Sequence, residues 1–112
     1  MGNGPKLGAE LRYFEIEPGG HSTLERHDHI HSVMVIRGRG ECLVGDAIYE
    51  ITGNDLINIP SMTWHQFRAA RDDSLGFLCM VNMQRDRPQL PTEDEFALLK
   101  SNPVVAAFLG EG

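Results

Sequence analysis

The chain has 112 residues, a formal charge of −6, 41% hydrophobic and 23% charged residues, the size and make-up of one globular domain with no room for a second. It contains no apolar run near the eighteen or so residues that cross a bilayer, and no basic start followed by an apolar stretch, so a membrane partner is excluded and the cytoplasm is the expected compartment. The acidic balance, without a basic face, excludes nucleic acid, and Cys42 and Cys79 are too few for a disulfide framework and read as free thiols.

Residues 1–9 are glycine-rich and weakly patterned, and read as a loose segment. Over residues 10–88, short runs with β-branched and aromatic content recur: LRYFEIE, SVMVIRG, ECLVGDAIYEI, DLINIP, WHQFRA and LGFLCMVNM. The separators PGG, RGRG, VGD, TGND and RDD carry the glycine, asparagine and aspartate that turns require, giving the rhythm of a small all-β sandwich or barrel. Residues 89–112 differ. Thr92 with Glu95 forms a capping-box pattern and Asn102 before Pro103 marks a second helix start, so a short helical tail is expected. Its apolar residues Phe96, Leu98, Leu99, Val104, Val105, Phe108 and Leu109 need cover from the barrel or a second subunit. That need, with open sheet edges, predicts a homodimer.

Four of the five histidines fall into two β-like segments: His27, His29 and His31 in ERHDHIH, and His65 in IPSMTWHQF. At the two-residue period of a strand the first three face one way, and with His65 they outline a metal site. A straight strand rises about 3.4 Å per residue, so the Cα atoms of His27 and His31 would stand roughly 13 Å apart. One ion takes both only if the strand bends or bulges near Ile30. His27, His29 and His65 therefore rank ahead of His31, for which an inward-facing place outside the coordination sphere stays open. Nitrogen donors disfavour magnesium and calcium and leave manganese, iron, nickel, copper or zinc.

The spacing around these histidines resembles the two cupin motifs. In the first, HxH appears as His27 and His29, His31 stands where the family has glutamate, and six residues lead on to Gly38. Gly20 precedes His27 by one residue too many, and the gap after His29 shrinks to Ile30. In the second, Gly53, Pro60 and His65 follow the outline with one extra residue before the proline, Met62 replacing the glycine and Ala69 the asparagine. The resemblance covers about residues 10–85 and implies a double-stranded β-helix, the cupin or jelly-roll barrel.

Cys79 shares a strand face with Phe77 and Val81, the pattern of a small buried core residue. The FLC segment followed by RDRPQLP also resembles the cupin methylsulfurylases, which act on methylthio-ketose phosphates. That resemblance implies a divalent metal, manganese first, and a catalytic Cys79 that takes up the sulfur and is cleared by a small thiol such as glutathione. The substrate phosphate needs cations; Arg37, Arg39 and Arg68 are nearest in sequence and read equally well as solvated charges. Members of that group carry further sequence ahead of the barrel, and a fold does not fix a reaction. A non-catalytic ligand-binding or sensor module and a cupin dioxygenase therefore stay open beside an enzyme acting on a small polar metabolite.

Overall fold

The computed structural model describes residues 9–82 and 86–110. Six strands, β1 (Ala9–Ile16), β2 (His31–Val44), β3 (Ala47–Thr52), β4 (Leu56–Ile59), β5 (His65–Ala69) and β6 (Leu75–Asn82), precede two helices, α1 (Glu93–Lys100) and α2 (Pro103–Leu109). The expected loose segment lies outside the described residues except for Ala9, which opens β1.

Two antiparallel sheets share the long strand β2. Its first half pairs with β6 on one side and β4 on the other, and β1 adds to β6, giving a front sheet in the order β1-β6-β2-β4. Its second half lies between β3 and β5, which makes the back sheet. RGRG, expected as a turn, is instead continuous strand. Its glycines let β2 pass from one sheet to the other: Gly38 sits at φ +74, and a Cβ there would stand 1.7 Å from the Ser74 carbonyl oxygen.

Alternation along the strands places Val33, Val35, Phe77, Cys79 and Val81 of the front sheet against Cys42, Ile51, Phe67 and Ala69 of the back sheet in one core. Burying each large side chain stabilises the fold by about 1.5–3 kcal/mol. The tail forms as expected. The Thr92 hydroxyl accepts the Glu95 N–H at 3.2 Å while the Glu95 carboxylate accepts the Thr92 N–H at 3.0 Å, and the Asn102 side chain caps α2. Val105, Phe108 and Leu109 are buried with Leu24 and Leu43 against the outside of the back sheet, whereas Leu98 and Val104 face solvent. Among the described residues no helix is long and apolar enough to cross a membrane.

Candidate metal centre

The segment ERHDHIH is not the continuous strand that its alternation predicts. Glu25 and Arg26 make single bridges to His65 and Gln89, the chain bends at Asp28 and His29, and β2 starts only at His31. Two neighbours pin the bend. The His27 carbonyl accepts the Met62 N–H at 2.7 Å, and the Asp86 carboxylate accepts the N–H groups of Asp28 (2.8 Å) and His29 (3.1 Å). Folding the segment back on itself removes the 13 Å separation of an extended strand. Ligand atoms of His27, His31 and His65 come within 4.8 Å of one another.

His31, placed last from the straight-strand distance, joins the group, while His29 stands beside it with its ring stacked on His27 at 3.7 Å between centroids. His31 opens β2 and His65 opens β5, so the cluster lies at one end of the barrel between the sheets.

Hydrogen bonds fix the protons on these rings. Nδ1–H of His27 donates to the His29 carbonyl at 2.8 Å, and Nδ1–H of His65 to the Thr63 carbonyl at 2.9 Å. A carbonyl only accepts, so each ring keeps the Nε2 lone pair, the donor a metal needs. His29 Nδ1 is held by Asp86 Oδ1 at 2.8 Å in the same way. Nε2 of His31 is buried without a hydrogen-bond partner in the structure, a cost that a ligated cation would remove. Burial, followed by repulsion from the neighbouring imidazoles, depresses His31 to about 3; burial depresses His65 to about 4. Both are therefore neutral, the ligating form, across the physiological range. Nitrogen donors of this kind fit a first-row divalent ion, which His27, His31 and His65 would hold.

The cluster opens into a cavity of about 590 Å³ whose wall includes Cys79, Phe67, Phe77, Val81, Arg12, Glu25 and Asp86. Burial pushes the Cys79 thiol up to about 12, with Arg12 acting in the opposite sense and Glu25 adding to the rise. Burial also raises the Glu25 carboxyl, against the opposing pull of His27 and His29. Arg37, Arg39 and Arg68 do not line this cavity. Arg37 pairs with Glu15 at 3.3 Å and Arg39 with Asp72, while Arg68 lies over the Phe108 ring.

A family model described as a cupin domain matches residues 12–81. The chain belongs to the cupin family. It is similar to a Rhodospirillum rubrum protein named 1-methylthio-D-xylulose 5-phosphate methylsulfurylase, 59% identical over 108 residues that span 96% of this cupin and 68% of the relative. Among solved structures, a cupin-2 domain protein from Rhodospirillum rubrum matches at TM-score 0.91 and 57% identity, over 97% of this chain and 74% of that one. A cupin 2 conserved barrel domain protein from Rhodopseudomonas palustris follows at TM-score 0.90 and 56% identity, over 96% and 74%.

In this cupin the three charged side chains lining the cavity escaped the sequence reading. Asp86 lies 57 positions beyond His29, in a segment without periodicity, and nothing in the spacing joins the two. Arg12 and Glu25 carried a weak signal only: each sits on a segment whose inward parity is fixed by its neighbours, but charged residues at those positions read as solvent-facing.

Proposed function

We propose that this cupin is a metal-dependent methylsulfurylase-type enzyme, transferring the methylthio sulfur of a methylthio-ketose phosphate to a thiol. The observation that carries the reading is the meeting of a three-histidine cluster and Cys79 on one cavity, in a chain 59% identical to a protein named for that reaction.

His27, His31 and His65 would hold the ion, with His29 a fourth nitrogen oriented by Asp86; manganese is the first choice, ahead of iron, nickel, zinc and copper. When bound, the ion supplies Lewis-acid stabilisation of negative charge developing on the substrate ketone oxygen. Cys79, as thiolate, attacks the methylthio sulfur. The new sulfur–sulfur bond forms as the carbon–sulfur bond breaks, and the electron pair stays on carbon, which takes up the proton that the thiol released. The cysteine sulfur is thereby oxidised to a methyl mixed disulfide and the carbon reduced to a methyl group. A thiol such as glutathione then exchanges with the disulfide and restores Cys79. Phe67, Phe77 and Val81 keep water from the sulfur. The same reading takes the enzyme as cytoplasmic and homodimeric.

The test is turnover of a methylthio-ketose phosphate with glutathione, by the native protein and by Cys79→Ser. Loss of turnover with unchanged metal content supports the reading; undiminished turnover in the variant removes it. Oxygen dependence of any activity would point to a dioxygenase, and ligand binding without turnover to a sensor module.

A further inference from the structure

In the register of β1 on β6, Arg12 stands directly opposite Cys79, and Phe14 opposite Phe77. Directly opposed residues have Cβ atoms about 4.5–5.5 Å apart, and Arg12, Phe14, Cys79 and Phe77 all line the histidine cavity. Among the described residues no other Lys or Arg lines the cavity. On β6 the same-face neighbours of Cys79 are Phe77 and Val81, and across the front sheet on β2 it faces Val33. Glu25 and Asp86 bring carboxyls, the latter bound to His29, and the imidazoles of His27, His29, His31 and His65 complete the titratable groups lining the cavity among the described residues. A thiol on an apolar wall stays protonated unless a cation faces it.

Beside any ion that the histidines would hold, Arg12 is the fixed side-chain cation on this cavity among the described residues. Its guanidinium lies 5.2 Å from the centroid of the Phe14 ring and forms no ion pair among the described residues. Arg37 and Arg39, by contrast, are each neutralised by a carboxylate on the outer surface.

We propose that Arg12 is the counter-cation of the Cys79 sulfur, a positioning residue that favours the thiolate through which sulfur transfer runs. The inference rests on the reading of Cys79 as the sulfur-accepting nucleophile. It assigns Arg12 to the thiol and not to the substrate phosphate.

The test follows the rate at which methyl methanethiosulfonate, which delivers the same methylthio group, modifies Cys79 in the metal-loaded protein between pH 6 and 10, with the modified peptide identified by mass. Arg12→Met is expected to slow modification at pH 8 about tenfold and to move its rise to higher pH, while Arg12→Lys restores most of the rate. In turnover, Arg12→Met lowers kcat and leaves KM for the phosphorylated substrate near its native value. An unchanged modification profile in Arg12→Met overturns the proposal, as does a raised KM at unchanged modification rate, which would give Arg12 to the phosphate. The modification profile does not depend on catalysis, so a chain in which Cys79→Ser turns over normally still reports on Arg12 while the methylsulfurylase reading fails.

Discussion

A histidine meant for a metal has to be neutral, and burial enforces this on His31 and His65 at a price in acid stability. Their ordinary value is 6.5, and burial takes them to about 3 and about 4. Below 6.5 the unfolded chain therefore binds protons that the folded chain refuses, and stability falls as pH drops from 6.5 towards the folded values. The melting temperature of the metal-free protein should fall progressively from pH 6.5 to 4, and His65→Gln should flatten that slope. Glu25, raised by burial, works in the opposite sense above 4.5, so the difference between native and variant profiles is the informative quantity. Parallel profiles would mean that His65 titrates as an ordinary surface histidine. At the same scale, Cys79 and Cys42 separate the two uses of a buried thiol. Burial pushes both to about 12, yet only Cys79 lines the cavity and faces a cation. Cys42→Ser should leave thiol-dependent turnover intact in whatever fraction folds, whereas Cys79→Ser should abolish it.

At the scale of elements, the bend at residues 27–30 decides whether four histidines form a cluster or a row, and Asp86 holds that bend through three hydrogen bonds. Asp86→Ala should weaken metal affinity about 10- to 100-fold, the usual effect of removing a carboxylate that orients a ligand histidine; equilibrium dialysis against manganese or zinc reads it directly. Native affinity in the variant would show that the backbone bend persists without its anchor. A second prediction concerns the crossing of β2. Gly38→Ala meets both a left-handed φ and the Ser74 carbonyl, and should cost about 3 kcal/mol or more, read as a lower urea midpoint. These two places also mark where the sequence stopped being legible. Strand alternation, turn residues and the capping box act locally, so the six β segments and both helix starts could be read from neighbouring residues. The passage of β2 between sheets depends on what lies against Gly38, and the histidine bend on a carboxylate 57 positions away. Both are set by tertiary contact, and the periodicity pointed the other way: a turn at RGRG and a strand through His29. His27 and His65 were legible as candidate ligands from spacing, whereas the grouping of His31 with them required the bend.

For the whole molecule, the feature that the barrel leaves unexplained is its front sheet. Inward residues of β6, β2 and β4 fill the core and Arg12 and Phe14 of β1 line the cavity, yet many of the outward ones are also apolar. Leu11 lies opposite Met80, Tyr13 opposite Leu78, and Met34 opposite both Leu78 and Leu56. Leu11 is 63% exposed, Leu56 61% and Met80 50%. Single exposed apolar residues are ordinary, but a contiguous face of them across four strands is the kind of surface that a partner covers. A second copy related by a twofold axis would set this face against itself, since a self-complementary apolar sheet needs no other partner chemistry. Light scattering at micromolar concentration should therefore give about twice the chain mass. Met34→Glu with Met80→Glu should give the monomer, because charges brought face to face in an apolar interface cannot all be solvated. Cys79 and His31 have the opposite strand parity to Met80 and Met34, and His65 stands on the back sheet, so the double variant should keep its metal content. A native protein that is already monomeric at that concentration would leave the outer face without the partner argued for it, and a double variant that stays dimeric would move the interface to the helical tail, where Leu98 and Val104 are exposed.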